Sequence, residues 1–429
     1  MKEIKIEHLA RVEGHGAITV EIEGKKVKDV RLEVLEGPRL FETITLGKLP
    51  SENLSIVPRI CAICTLSHKY ASLRGLEKCL DIKVPEKTRL LRSLMLHGEA
   101  VESHALHVCL LALPDLLGYP NAVAMTDKYA EYVVRGLTMK KFGNQVMETV
   151  SARATHGENP IIGGFGRFPT NDELYALKDQ VAALIPMACS VIDLVGPMKF
   201  PSWLDEETQF ACLNPVNKKE YGLVGDSILI SDGEELDIED YKKLTNERVV
   251  PHSYAKRSRY KDKPYTVGSI ARINLLGDRL KGKAKGYYDR YTSVRWKRNP
   301  LFNNMAQAIE LLYALEKIPV LVDKLVDMKD PAVVKPGRDA GKGTGGVEAP
   351  RGTLFHSYEI KGGRMSKVDI ITPTAQNLED IERYIRIAAQ YMLDKGEKDE
   401  AIKKQLEIVA RAYDPCVSCS AHLVSVVRK

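Results

Sequence analysis

Apolar residues recur at three- and four-residue spacing through much of the chain, which is the pattern of amphipathic helices. Pro85 suits the first turn of one such helix, because proline lacks the N–H that a helix start leaves unpaired. The spacing predicts long helices over residues 65–80, 84–114, 127–155, 172–194, 304–326, 377–395 and 399–412. Helices therefore dominate the predicted fold.

Strict alternation of apolar and polar residues predicts two β-hairpins. Residues 17–23 and 27–35 alternate on either side of a Gly-Lys-Lys turn, and residues 353–360 and 364–371 flank a Lys-Gly-Gly turn. The predicted fold is α+β and helix-dominated, with a central bundle of long helices and peripheral β-hairpins. We expect one interwoven domain over residues 1–429.

Two segments lack a regular pattern. Residues 197–300 carry short strand-like runs at 227–230 and 249–250 among many charged residues, and we expect a surface α+β insertion there. Residues 330–346 contain five glycines and two prolines, a composition that predicts a loop.

Composition narrows the class of protein. The chain has 429 residues and is 44% hydrophobic, which is ample for a large buried core. Its net charge of +6 is spread among acids and does not favour nucleic-acid binding. The chain begins without a secretory signal, and no apolar run reaches the roughly 20 residues of a membrane span. We expect a cytoplasmic protein with no membrane span.

Two Cys-x-x-Cys pairs carry the clearest candidate chemistry. Cys61 and Cys64 stand near one end of the chain, and Cys416 and Cys419 near the other. Four thiolates suit zinc, an iron–sulfur cluster or nickel. A structural zinc site usually takes its ligands from within a few tens of residues, whereas Cys64 and Cys416 are 416 − 64 = 352 positions apart. A thioredoxin-like dithiol explains one pair but not both.

The other four cysteines are expected to be small buried apolar residues; they are Cys79, Cys109, Cys189 and Cys212. Several polar residues accompany the two pairs. Glu13 and Glu42 flank the first hairpin, so they can lie close together in space, and His68 and His422 follow the two pairs. Each of these residues alone would more often be an ordinary surface or core group.

Together these motifs resemble those of the large, catalytic subunit of nickel–iron hydrogenases. Arg-x-Cys-x-x-Cys-x-x-x-His at 59–68 and Asp-Pro-Cys-x-x-Cys-x-x-His at 414–422 resemble the two nickel motifs of that family. Companion motifs lie at 11–15, 348–352 and 372–377, so the resemblance spans the chain. Much of the family has glycine at the position of Ala62. This difference, together with the motifs at 156–166 and 371–374, makes the sequence most similar to the cytosolic, bidirectional NAD(P)-linked branch, which includes archaeal sulfhydrogenases.

The resemblance implies a nickel–iron centre that cleaves H2 heterolytically and reversibly. Cys61 and Cys416 would be terminal nickel ligands, while Cys64 and Cys419 would bridge nickel to an iron that carries CO and cyanide. It also implies a magnesium site. Its ligands would be Glu42, His422 and the carbonyl of Ile370.

The resemblance further implies how protons are handled. Glu13 matches the family's proton gate, and the base is either the thiolate of Cys416 or the guanidine of Arg351. Asp115 and Asp414 would hold that arginine in place.

Three more residues match positions around the metals. His68 would donate a hydrogen bond to a bridging sulfur. Pro350 and Thr374, together with Arg351, would surround the cyanides.

The implied partners extend the assembly. Electrons would leave through a small subunit with iron–sulfur clusters, and flavin- and NAD(P)-binding diaphorase subunits would follow it. Nickel-insertion chaperones and a maturation protease are implied as well, and residues 423–429 would be a propeptide removed after His422. Two alternatives stay open, namely a nickel-free subunit of the complex I type and a zinc-bound structural or assembly protein.

Overall fold

The structure, a computed structural model, describes residues 2–421. Its α-helices are α1 Phe41–Thr45, α2 Pro50–Ile56, α3 Thr65–Cys79, α4 Glu86–Leu106, α5 Leu113–Leu117, α6 Thr126–Ser151, α7 Asn171–Val195, α8 Ser269–Leu276, α9 Gly282–Tyr291, α10 Asn303–Leu325, α11 Pro373–Asp394, α12 Asp399–Ala412 and α13 Val417–Ser420. Its strands are β1 Lys2–Ile6, β2 Gly16–Glu23, β3 Lys26–Val34, β4 Pro160–Ile161, β5 Gly164–Phe165, β6 Gln209–Pro215, β7 Gly225–Ile230, β8 Glu235–Asp237, β9 Tyr265–Thr266, β10 Gly341–Ala349, β11 Gly352–Lys361 and β12 Arg364–Ile371.

Long helices form the centre of the molecule, as predicted. Helix α4 packs against α6 and α10, and α10 also packs against α7. A π-helical turn, His107–Ala112, joins α4 to α5. The helical stretch Glu86–Leu117 is long and apolar enough to cross a membrane, but 67% of its most apolar window is buried inside the protein, as in the core helix of a globular domain.

Both predicted hairpins are confirmed, and each belongs to an antiparallel three-stranded sheet. One sheet has the order β1-β2-β3 and the other the order β10-β11-β12. The first sheet packs against α11 and α12, and the second lies against α3. The helix-dominated α+β fold class is therefore confirmed.

The predicted loop over 330–346 is too long at its C-terminal end, since β10 begins at Gly341. Its glycines are needed for packing, because a Cβ atom on Gly345 would lie 2.1 Å from the carbonyl oxygen of Ala71 in α3. The letters of Gly341–Gly346 fit the dinucleotide pattern Gly-x-Gly-x-x-Gly. They form a strand against the side of a helix, however, and a phosphate loop needs the turn between a strand and a helix start.

The segment 197–300 is also more deeply embedded than predicted. Helix α8 is buried along most of its length, and its Arg272 side chain is fully enclosed. Residues 249–250 form no strand, and Val249 is exposed. The eight-residue α8 gave little periodic signal, and its buried arginine made it resemble a surface segment.

The two ends of the described chain meet. The Val417 N–H donates to the Glu13 carbonyl at 2.8 Å, and Glu13 and Cys416 form an isolated parallel bridge. The loop before β2 and the start of α13 are thus held together by backbone hydrogen bonds. That contact places the residues around position 13 beside the second cysteine pair.

Candidate metal centre

The four cysteines of the two pairs come together in one buried cluster. All four Sγ atoms lie within 4.8 Å of one another. The Sγ–Sγ distance is 3.5 Å between Cys61 and Cys416, 3.4 Å between Cys64 and Cys419, and 2.7 Å between Cys416 and Cys419. No side chain of the four is more than 5% exposed. Among residues 2–421 this is the one group of cysteine, histidine and acidic side chains close enough to hold a metal ion.

Each pair is held at the start of a helix. Cys64 precedes the first residue of α3, and Cys416 precedes the first residue of α13. The backbone N–H groups of Ile63 and Cys64 point to Cys61 Sγ at 3.3 and 3.4 Å. Helix starts carry unpaired N–H groups and a partial positive charge, both of which favour a thiolate.

The thiols cannot all ionise without a cation. Hydrogen bonds from Cys416, Cys419 and Cys64 hold the pKa of Cys61 well below its usual value. Hydrogen bonds from Cys416 and Cys419 act to lower the pKa of Cys64, but Cys61 and burial outweigh them and raise it to about 11. Burial raises the pKa of Cys416 and of Cys419 well above the usual value. A soft metal cation bound among the sulfurs would remove this conflict, so the donor set fits nickel and iron.

Glu13 touches the cluster. Its Oε2 atom lies 2.9 Å from Cys416 Sγ and accepts a hydrogen bond from the Ser418 N–H at 3.2 Å. The Ser418 hydroxyl donates to Oε1 of the same carboxylate. Gly14 makes this approach possible, since it has φ of 84° and a Cβ atom there would lie 2.5 Å from the Ser418 nitrogen. The structure thus brings together two residues 403 positions apart.

Arg351 is fixed by Asp414. Its Nε donates to the Asp414 carbonyl at 2.9 Å and to Oδ1 at 3.1 Å, and Nη2 lies 3.0 Å from Oδ1. Burial alone would lower the pKa of Arg351, but the charges of Asp414 and of Cys416, Cys64 and Cys61 raise it well above the usual value. Nη1 is buried and has no hydrogen-bond partner within residues 2–421.

The expected role of Asp115 beside Arg351 is wrong. Asp115 lies on α5 and accepts from Arg411 Nε at 2.7 Å and Nη2 at 3.0 Å, and it also pairs with Arg11. In the described chain Arg351 takes its ionic contact from Asp414, whose second oxygen accepts from Gln307 Nε2 at 3.0 Å. The sequence pattern did not show which arginine Asp115 would contact.

Thr374, Pro350 and His68 are all buried beside these groups. The Cys416 N–H donates to Thr374 Oγ1 at 2.9 Å, and the Pro350 carbonyl accepts from Arg272 Nη2 at 3.1 Å. His68 Nδ1 lies 3.0 Å from a nitrogen of His356, while its Nε2 is buried without a partner in the described chain. Burial lowers the pKa of His68 to about 4.

Two of the three predicted magnesium ligands are adjacent. The Ile370 N–H donates to Glu42 Oε1 at 2.8 Å, and burial raises the pKa of Glu42. The third, His422, lies outside the described residues, as does the propeptide predicted at 423–429.

Sequence reasoning did not identify several residues that lie near the site. Glu99 on α4 accepts the Leu66 N–H at 2.7 Å and the Ser67 N–H at 2.9 Å, so it caps the start of α3 one turn from the cysteines. Burial raises its pKa to about 8. Glu99 and Gln307 were overlooked because isolated polar residues in helical patterns usually face solvent. The signal was their position among apolar neighbours on the buried side of a helix.

Comparison with known proteins agrees with this geometry. The profile of the nickel-dependent hydrogenase family matches residues 39–165 and 202–422, and a HoxL-like profile matches residues 3–36. The chain belongs to the nickel-dependent hydrogenase family. The relatives described next fit the cytosolic sulfhydrogenase and NAD-linked branch that was expected from the sequence.

Two of these relatives come from Pyrococcus furiosus. Sulfhydrogenase 1 subunit alpha is 38% identical over 426 residues, covering 98% of both chains. Sulfhydrogenase 2 subunit alpha is 39% identical over 424 residues, covering 99% of this chain and 100% of the relative. A solved NAD+-reducing [NiFe]-hydrogenase in the H2-reduced state has a TM-score of 0.90 at 28% identity, and the match covers 98% of this chain and 100% of that one.

The chain is therefore the catalytic large subunit of a nickel–iron hydrogenase, an oxidoreductase that acts on H2. The four buried cysteines are its site for nickel and iron, and a large subunit of this kind works with a small-subunit partner. Family membership and the four-thiol cluster leave no reason to retain the zinc, dithiol or nickel-free alternatives.

We predict that replacing any one of the four cysteines by alanine removes bound nickel. Loss of a direct ligand costs more than the roughly 10- to 100-fold in affinity that outer residues typically contribute. Cys109→Ala is the matched control, because Cys109 is fully buried but lies outside the cluster. Nickel per purified chain, measured by mass spectrometry, should be normal in the control. Normal nickel in Cys61→Ala or Cys416→Ala would contradict the assignment.

Proposed function

We propose that the enzyme interconverts H2 with protons and electrons, and that the electrons pass through an iron–sulfur small subunit to NAD(P). The main support for this reaction is the contact between Glu13 and Cys416, in which a carboxylate lies 2.9 Å from a sulfur of the four-thiol cluster. Support for the electron acceptor comes from the relatives, which include sulfhydrogenases and an NAD+-reducing hydrogenase.

A bound nickel–iron pair would supply the soft, electron-rich site that takes up the electrons of H2. The residues of this chain handle the proton. Cys416 Sγ accepts it, and Glu13 receives it across the 2.9 Å contact. Arg351 is less suited to act as the base, since its ion pair with Asp414 favours the protonated form. We assign it the role of a fixed positive charge beside the thiolates.

Glu13→Gln is predicted to lower H2 turnover by about 10²- to 10⁴-fold, the range typical of a lost general acid–base group. The amide cannot relay a proton but keeps the shape of the side chain, so nickel content should stay normal. Glu36→Gln, which alters another acid of the same hairpin region, is the control. H2 oxidation with an artificial dye measures the effect. Wild-type turnover in Glu13→Gln would refute the proton route.

We further propose that the iron carries CO and cyanide. Arg351 Nη1 is a buried donor with no acceptor in the described chain, and Pro350 and Thr374 are also buried. Cyanide nitrogens would accept from such donors, whereas CO suits apolar surroundings. Infrared spectra of the purified complex should contain CO and cyanide bands, and Arg351→Lys should shift the cyanide bands. An active preparation without any such bands would overturn this part of the proposal.

A surface beside the cluster supports a position for the small subunit. Five exposed apolar side chains lie between positions 35 and 49, namely Leu35, Leu40, Ile44, Leu46 and Leu49. Arg39 links this segment to the site, because its Nη2 donates to the carbonyls of Ile60 and Ser418 at 2.6 and 2.9 Å. A partner covering this surface would lie within one layer of residues of the cysteines. We further propose that diaphorase subunits, which bind flavin and NAD(P), contact the small subunit. We also propose that the assembly is cytoplasmic.

Maturation is proposed to involve nickel-insertion chaperones and a protease that cuts after His422. The new C-terminus would then supply His422 to a magnesium ion with Glu42, whose carboxylate oxygen suits this hard cation, and with the Ile370 carbonyl. Intact-mass measurement of the active enzyme should give a chain that ends at His422. Magnesium content should fall in Glu42→Gln. A mature, active chain that still ends at Lys429 would contradict the processing step.

A further inference from the structure

Arg39 is hydrogen-bonded to the backbone of both cysteine pairs. One of its nitrogens, Nη2, donates to the Ile60 carbonyl at 2.6 Å and to the Ser418 carbonyl at 2.9 Å. Ile60 immediately precedes Cys61, and Ser418 immediately precedes Cys419. A single guanidinium group therefore joins two stretches of backbone that are 418 − 60 = 358 positions apart in the chain.

Both carbonyls belong to short helical turns, which leave backbone oxygens unpaired. A turn of 3-10 helix, Val57–Ile60, ends just before Cys61, and α13 has only 4 residues. The last carbonyls of a helix have no partner within it, so they need a donor from elsewhere. Arg39 supplies that donor to one turn in each cysteine pair, and its Nη1 adds a longer contact to the Arg59 carbonyl at 3.4 Å.

The guanidinium group packs against an aromatic ring and has no acidic partner in the described chain. Its Cζ atom lies 5.2 Å from the centre of the Phe41 ring, at the start of α1. Within residues 2–421 its hydrogen bonds go to carbonyl oxygens, and no ion pair competes for its N–H groups. Arg351 differs in this respect, since it is paired with Asp414. The donors of Arg39 are thus directed to the backbone.

Other contacts fasten the two pairs separately. Glu13 and Thr374 accept hydrogen bonds from the backbone of the second pair, and they tie it to the N-terminal loop and to α11. Glu99 accepts from the start of α3, just after the first pair. These contacts join each pair to a different element, whereas Arg39 joins the pairs to each other.

We propose that Arg39 is a positioning residue that clamps the two Cys-x-x-Cys pairs together and so keeps the metal centre closed around nickel and iron. Arginine suits this task because its planar fork directs several N–H groups to separate acceptors, which a lysine ammonium does less well. Without the clamp, the link between the pairs would depend on the metal and on more distant packing. The inference goes beyond the proposed function, because it requires neither the proton route nor the electron acceptor.

Arg39→Met is the test, because methionine has an unbranched apolar stem and no N–H donor. In the assembled, nickel-loaded enzyme, peptides that contain residues 416–419 should exchange their amide hydrogens about 10- to 100-fold faster than in the wild type, as expected for local opening after a charged hydrogen bond is lost. Nickel should be lost to a chelator about 10- to 100-fold faster as well. Mass spectrometry measures both the deuterium uptake of the peptides and the nickel that remains per chain.

Arg338→Met is the matched control. Arg338 also donates to two carbonyls at a helix end, those of Lys78 and Cys79 at 2.9 and 2.8 Å. These carbonyls lie at the far end of α3 from Cys64. The control should therefore leave nickel loss and the exchange of residues 416–419 unchanged.

Arg39→Lys is the conservative variant. Its ammonium keeps the charge and can still donate to a carbonyl, so nickel loss and exchange should lie between those of the wild type and of Arg39→Met. If Arg39→Met accumulates without nickel, Arg39→Lys takes its place as the test.

Three results would overturn the proposal. They are unchanged exchange at 416–419 in Arg39→Met, an equal increase in Arg338→Met, and an increase spread evenly over the chain and including α10, which would show a general loss of stability. Both readouts work without H2, so they can fail while the proposed reaction stands.

Discussion

The structure depends on the mutual approach of four buried thiol groups from opposite ends of the chain. Sulfurs within 4.8 Å of one another cannot all be charged in a low-dielectric interior unless cations lie among them. The raised pKa values of Cys64, Cys416 and Cys419 express this conflict. A metal bound among the sulfurs would resolve it, and the energy of the metal–sulfur bonds would then help to hold the two ends of the chain together.

The surrounding residues support that closure in different ways. Two helix starts supply N–H groups, Arg351 supplies a fixed positive charge, and Glu13 joins the N-terminal loop to the second cysteine pair through Ser418. Glu99 accepts a hydrogen bond from the Leu66 N–H at the start of α3. A polar shell of this kind is costly to bury, and its groups contact the cysteines or the segments that carry them.

The sequence was sufficient for what depends on local spacing. Helix and hairpin periodicity and the Cys-x-x-Cys pairs could be predicted in this way, whereas the proximity of Glu13 to Cys416 was expected only from the family resemblance. Pairings that depend on how distant elements pack could not. Asp115 pairs with Arg411 rather than with Arg351, and His356 on β11 lies beside His68 on α3. The glycines of β10 suggested a loop, since close backbone packing is invisible without the partner helix.

X-ray absorption at the nickel edge tests the central claim most directly, because it reports the atoms bound to nickel in the assembled enzyme. We expect four sulfur neighbours with a heavier iron atom beyond them, and three sulfurs in a Cys416→Ala variant if any nickel remains. A nickel site dominated by nitrogen or oxygen, or a wild-type spectrum that Cys416→Ala leaves unchanged, would contradict it.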